Sequence, residues 1–346
     1  MCFLLMAGVV RTQPAAFAFP LEARWSVTLT SPPAFRPAYD RGQAYIPLRN
    51  GSLAAIDLQD GRLAWHVDVP ASAPPAAGDD LVFVGTDDAI EARARGTGGV
   101  RWRVPLNGRL SAPLLWDAGW LVAGTDRSEI LALRGTDGEI LWRRELGSVM
   151  RTRPAPAGAR LYVSLDDGRL VALRLQTGDV VWTRRLPEPA AGILALDDRL
   201  FVGCTDNYFY NLATKDGGVT WRWRTGGDIV GAPVADLDRV YFVSLDNEFR
   251  ALDRRSGALR WQRPLPIRPS TGPLQIGETM MVAGVAAELR GYHARDGTSA
   301  GEFAAKSPQG EALHFAMPPD VVESPLAAVI ILTRDGLMQE LVPSSH

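Results

Sequence analysis

Tryptophan keeps a period in this chain. It stands at positions 25, 65, 102, 142, 182, 221 and 261, at intervals of 37 to 40 residues, and Phe303 reads as an eighth member 42 residues further on. Trp116, Trp120 and Trp223 fall off this register. A fixed period of about 40 residues is the signature of one supersecondary unit repeated. The chain has 346 residues, more than a single core of roughly 250–300 residues organises. An array in which each unit packs only on its neighbours accommodates that length.

After the first, each of these tryptophans closes a similar phrase. Ala55-Ile56-Asp57-Leu58-Gln59-Asp60-Gly61 precedes Trp65, and Ala251-Leu252-Asp253-Arg254-Arg255-Ser256-Gly257 precedes Trp261. Asp137-Gly138, Thr177-Gly178 and Asp216-Gly217 take the same place before Trp142, Trp182 and Trp221. Such pairs between apolar runs are hairpin turns, because glycine accepts the positive φ the turn needs. Upstream lie runs such as Leu81–Gly85 and Val240–Ser244, ending in polar turns. Their β-branched and aromatic content and their length make them strands. Further upstream, a shorter strand is marked by proline at 37, 75, 113, 154, 233, 273 and 325. No stretch sustains a helical period.

The fold class read from this pattern is all-β, an eight-bladed β-propeller of four-stranded antiparallel blades. Seven complete units run from about residue 29 to 306. The C-terminal runs Ala328–Thr333 and Leu337–Val342 supply two strands of an eighth unit that lacks its Trp strand. The segment Leu21–Thr28 is a Trp strand without the rest of its blade. Pairing the N-terminal strand with the C-terminal blade closes the ring and removes two exposed sheet edges.

At the Ala-x-Asp-x-x-[Thr/Ser/Asp]-Gly-x-x-x-Trp phrase the chain resembles the PQQ-like propeller repeat. That repeat is shared by quinoprotein alcohol dehydrogenases and by outer-membrane assembly scaffolds of the BamB type. The resemblance runs from about Leu21 to Val342. It implies that Trp25, Trp65, Trp102, Trp142, Trp182, Trp221, Trp261 and Phe303 are structural docking residues, each packing between adjacent blades. WD40 repeats fit less well, since the Gly-His and Trp-Asp dipeptides are absent.

The family holds both enzymes and scaffolds, so chemistry has to be sought residue by residue. The quinoprotein enzymes are characteristically longer and carry a disulfide between adjacent cysteines; Cys2 and Cys204 are the only cysteines here. The four histidines, His66, His293, His314 and His346, are scattered. No Gly-x-Ser-x-Gly elbow and no glycine-rich phosphate loop leading into a helix is present. The sequence therefore names no catalytic, cofactor-binding or metal residue and implies no cofactor. The acidic turns at Asp87, Asp88, Asp126, Asp166, Asp167, Asp206, Asp246 and Asp335 recur with the blades. They read either as a ring of carboxylates or simply as turn residues, which aspartate favours by bonding its own backbone. Arg36, Arg151 and Arg153 lie beside strand prolines, where they either line the channel mouth for an anion or are solvated.

A net charge of −2 gives no field that would draw nucleic acid. The apolar run Cys2–Val10 is too short to span a bilayer. With Ala16-Phe17-Ala18 as an A-x-A-like cleavage site, residues 1–18 read as a truncated signal peptide. Residues 19–346 then form a single propeller, exported to the periplasm or otherwise to the envelope; the alternative is a cytoplasmic chain. The expected function is a monomeric, non-catalytic scaffold for protein partners in the bacterial envelope. The alternative is a quinone-dependent or other small-ligand enzyme using the central channel. The long connection from Phe303 to Pro325 carries Leu313, Phe315, Met317 and Pro318, and these are the expected partner-binding residues.

Overall fold

The computed structural model describes residues 17–40, 42–196, 198–284, 288–307, 309–323 and 327–344. All regular structure among them is β-strand, arranged in eight four-stranded antiparallel sheets. Strands are lettered A to D from the channel outwards, and the A strands of several neighbouring blades touch one another. Blade 4 is representative, with Ala155–Ala157, Arg160–Ser164, Arg169–Arg174 and Val180–Arg185. Blades 1 to 3 span 38–68, 76–105 and 115–145, and blades 5 to 7 span 190–224, 234–264 and 274–304.

Burial explains the sequence pattern. The B and C strands are covered on both faces by neighbouring blades, so Leu161–Ser164 and Leu170–Leu173 are buried without interruption. The D strands form the rim and alternate, which is why Val180–Arg185 mixes Trp182 with arginines. Exposed Leu63, Val100, Val180, Val219 and Leu259 share one D-strand position, two residues before the tryptophan.

Blade 8 is assembled from both ends of the chain. Asp320–Glu323, Ala327–Leu332 and Leu337–Pro343 form its A to C strands, and Leu21–Thr28 is its D strand. The pairing runs from Leu21 opposite Pro343 to Thr28 opposite Leu337. The ends are tied by the Ser344 N–H, which donates to the Pro20 carbonyl at 2.9 Å. The expected eight-bladed closure is thus what the sheets show.

Each docking tryptophan on strand D reaches the C–D turn of the next blade. Trp142 Nε1 donates to the Leu175 carbonyl at 2.7 Å, and Trp25, Trp65, Trp102, Trp182 and Trp261 make the equivalent bond. The ring lies over the turn glycine: a Cβ on Gly178 would sit 2.5 Å from the Trp142 ring, and Gly178 also has a φ of 68°. Both constraints demand glycine. Trp221 lies against Gly257 in the same way, but its buried Nε1 has no partner. The carbonyl it would meet, that of Arg254, accepts instead from Asn211 Nδ2 at 3.0 Å.

Phe303 packs on the apolar cluster shared by blades 7 and 8, but it does not hold the tryptophan position. In six blades the tryptophan sits opposite the alanine of the repeated phrase (Asn211 in blade 5), one residue before a bulge. In blade 7 that position is Gly301, opposite Gly291, and Phe303 pairs with Leu289 two residues on. Blade 8 in turn has no C–D turn to receive a tryptophan, because its C and D strands come from opposite parts of the sequence and no turn joins them. Phe19 fills the slot from the other side: Cβ atoms on Gly291 and Gly301 would lie 2.2 and 2.4 Å from it. Phe17 beside it is buried, and its carbonyl accepts from Thr279 Oγ1 at 2.6 Å. The packed chain therefore includes Phe17, one residue inside the Ala16-Phe17-Ala18 cleavage site read from the sequence; residues 1–16 lie outside the described residues.

The connection into blade 8 is also shorter than it reads. Pro319, not Pro325, directly precedes strand A, and Pro325 lies outside the described residues. Phe315 bridges to Thr333 just as Met150 bridges to Leu165 and Ile229 to Ser244, so it belongs to the ordinary D–A connection. The extra residues make a small hairpin in which Lys306 pairs with Ala312.

Candidate functional site

Three features compete for the role of functional site: the acidic turns, the connection into blade 8, and the channel. Most of the acidic turns are occupied by side chains of their own or the next blade. Asp88 pairs with Arg103 at 2.6 Å, Asp166 with Arg151 at 2.7 Å, Asp167 with Arg169 at 2.6 Å and Asp246 with Arg250 at 2.7 Å. Asp206 accepts from the Tyr210 hydroxyl at 2.5 Å and from the Tyr208 N–H at 2.9 Å. These bonds hold the Asp246 carboxyl down at about 2, with Arg250, Ser244 and the Gly226 N–H outweighing the cost of burial. Carboxylates satisfied in this way are turn-builders. Among the described residues, no three His, Cys, Asp or Glu side chains come together. Cys204 is buried, its thiol donates to the Glu188 carbonyl, and burial pushes it up to about 12, which leaves it unreactive.

The connection into blade 8 turns its apolar side chains inward. Phe315 is buried and Leu313 packs with it on the cluster formed by blades 7 and 8, while Met317 packs on the cluster between blades 8 and 1. Pro318 is half-buried. The expected partner-binding patch is thus not an exposed one; apolar residues in an ordinary D–A connection cap their own core. What faces solvent is the hairpin tip at Gln309, Gly310 and Glu311.

The channel is different. The A strands of blades 1, 2 and 3 begin after prolines, and these bring Pro37, Pro74, Pro75 and Pro113 around a cavity of about 360 Å³. Five polar or aromatic side chains complete the wall: Arg36, Tyr39, Trp116, Arg153 and Asp320. They come from blades 1, 3, 4 and 8. Arg36 forms an ion pair with Asp320, and the Tyr39 hydroxyl donates to the other oxygen of that carboxyl at 3.2 Å. Burial raises the Asp320 pKa, with Arg36 opposing the shift. Burial and Asp320 together raise Tyr39 well above the usual phenol range. Trp116 is held from behind by Phe83, ring centroids 4.8 Å apart, over Gly78 and Gly135.

Of the three arginines singled out by their prolines, Arg36 and Arg153 meet in this cavity and Arg151 turns outward to Asp166. Tyr39, Trp116 and Asp320 carried no local signal, because each becomes a wall residue only when distant blades converge. A second buried acid, Glu340, lies on the closing blade. It stands opposite Trp25, where most other blades have alanine, and pairs with Arg24. Burial pushes its carboxyl up to about 7, against the pull of Arg24.

Comparison with known proteins agrees with this architecture. The family model for outer membrane protein assembly factor BamB matches residues 22–94, 86–196 and 187–328, consecutive stretches of the ring. Among curated relatives, the BamB of Nitrosomonas eutropha is 26% identical over 261 residues, covering 74% of this chain and 58% of the relative. That of Alkalilimnicola ehrlichii is 33% identical over 140 residues, 39% of this chain and 36% of its own length. The Yersinia pestis protein is 25% identical over 297 residues, 76% and 74%. The chain thus spans less than two thirds of the first two relatives. Among solved structures, BamB from Moraxella catarrhalis superposes with a TM-score of 0.76 at 19% identity, over 95% of this chain and 99% of that one. A quinohemoprotein alcohol dehydrogenase from Comamonas testosteroni reaches 0.74 at 13% identity, over 94% and 77%. Those structural likenesses establish the propeller alone. The sequence match, running through every blade of the ring, establishes more: the chain belongs to the outer membrane protein assembly factor BamB family.

Proposed function

We propose that this protein is a non-catalytic scaffold that holds protein partners during outer-membrane protein assembly, acting as a monomer on the periplasmic side of the envelope. The observation that carries the reading is the family match from residue 22 to 328, which falls on the ring itself. The side-chain chemistry supports it. Most of the acidic turns are spent on neighbouring loop residues, and the channel carboxyl is tied to an arginine and a tyrosine, so neither is poised as a base toward a nucleophile. With the apolar residues of the blade 8 connection turned inward, a partner would meet polar loop tips and the rim of D strands. A propeller exposes long, rigid faces suited to such contacts.

The test is genetic and biochemical together. Deleting the gene in its native host should lower the amount of folded outer-membrane β-barrel protein, and the wild-type gene should restore it. Purified protein given pyrroloquinoline quinone and Ca²⁺ should show no dye-linked oxidation of alcohols or sugars. Unchanged barrel levels combined with quinone-dependent turnover would replace the scaffold with an enzyme.

A further inference from the structure

We propose that the channel cavity is a binding site for a small organic carboxylate, held by Arg153. The proposal is independent of the scaffold reading. Arg153 lies on the cavity wall and makes no hydrogen bond or ion pair with any described residue. It stays open to the channel, yet the ring surrounds it closely enough that loss of solvent lowers its pKa, with Arg36 adding repulsion. The carboxyls that act on it are Asp320 and Asp117. Asp320 is already bound to Arg36 and Tyr39, and Asp117 makes no ion pair with it. An exposed guanidinium on the cavity wall with no contacting anion is free to take one, and a carboxylate entering the cavity would meet it with two charge-assisted hydrogen bonds.

The walls define the rest of the ligand. Four prolines and Trp116 present apolar surface, which suits an organic body and offers little to a fully hydrated ion. A volume of about 360 Å³ sits at the small end of the range for ligand pockets. One uncommitted cation matches one carboxylate. A polyanion would bring further charges that Arg36, tied to Asp320, is not free to meet, and a cation would face Arg153 itself.

Titration calorimetry on the purified full chain tests this with benzoate, benzyl alcohol and inorganic phosphate as probes. Benzoate should bind in the millimolar range or tighter. Benzyl alcohol, which keeps the ring and lacks the charge, and phosphate, which keeps the charge and lacks the ring, should each bind at least roughly tenfold more weakly. Arg153→Met, which keeps the side-chain stem, should weaken benzoate by at least about tenfold. Arg151→Met, two residues away and outside the cavity, should leave it unchanged. Thermal melts of both variants report whether they fold. Absence of benzoate binding by the folded wild-type protein, or equal binding by a folded Arg153→Met, would overturn the proposal. Phosphate binding as tight as benzoate would overturn the organic-carboxylate assignment.

Discussion

The seam between blades 3 and 4 and the seam between blades 7 and 8 perform the same task with opposite polarity. At the first, Trp142 leaves its own D strand, donates to the Leu175 carbonyl and covers Gly178 in the next blade. At the second, blade 7 offers only Gly301 at the tryptophan position, and in blade 8 no turn joins the C and D strands, which come from opposite parts of the sequence. Phe19, just ahead of the strand that completes blade 8, reaches back and fills the slot over Gly291 and Gly301. A large aromatic wedged between sheets is therefore what each seam requires, since it buries extensive apolar surface; which blade supplies it is free to change. Where the repeat is cut to make chain ends, the contact is reversed.

The largest break in this comparison comes from removing the N-terminal strand. Deleting residues 1–28 strips blade 8 of its D strand and of Phe19, and leaves Leu337–Pro343 as an open edge. The thermal midpoint should fall further than for any single substitution, and the truncated chain should self-associate through that edge, as size-exclusion chromatography would reveal. A monomeric truncation with an unchanged midpoint would mean that closure is unimportant. Next in size are the regular seams. Trp142→Ala or Trp182→Ala should cost about 3–5 kcal/mol in denaturant unfolding, the usual range for deleting a packed aromatic.

Smaller effects separate the closing blade from the others by charge. Glu340 has a folded pKa of about 7, above its ordinary value of 4.5, so the folded state holds its proton more tightly than the unfolded chain. Its contribution is fully present below pH 4.5, declines as pH rises through the folded value of about 7, and is flat above. Glu340→Gln should abolish that decline and gain about 1–3 kcal/mol over wild type at pH 8, with no gain at pH 4. Equal gains at both pH values would refute the burial argument. Smallest of all is Asn211→Ala. It removes a buried amide whose Oδ1 is unpartnered and frees the Arg254 carbonyl for Trp221 Nε1, which is unpartnered too. The change should be neutral within about 1 kcal/mol, and a loss well beyond that would show that Trp221 cannot make the bond.

Much of the fold was legible because each blade repeats the same physical solution. A turn glycine with positive φ, an alanine opposite a tryptophan and an apolar run between polar turns are all local, and a leftover Trp strand at one end implied its missing partners at the other. The errors fall where the repeat yields to long-range packing. Phe303 was favoured for its aromatic ring although its interval of 42 residues broke the 37–40 rule; Gly301, at 40, kept the spacing and had lost the side chain. The replacement, Phe19, lies at the far end of the chain, so no local pattern points to it. Blade 8 carries two candidate strand prolines, and the one that precedes its A strand, Pro319, stands closer to Phe303 than Pro325, so the connection is shorter and its apolar residues cap their own core. The channel site shows the same limit: the prolines flagged Arg36 and Arg153, but their meeting with Tyr39, Trp116 and Asp320 follows only from closing the ring.

Hydrogen exchange on Phe19→Ala tests the reversed seam most directly. Phe19 touches Gly291 and Gly301 and leads straight into Leu21–Thr28. The account predicts lost protection at backbone amides of strands C and D of blade 7 and of blade 8, including Leu337–Pro343 and Leu21–Thr28, with blades 2 to 5 unchanged. Protection unchanged in blades 7 and 8, or lost evenly around the ring, would contradict the claim that an N-terminal aromatic does at this seam what the tryptophans do at the others.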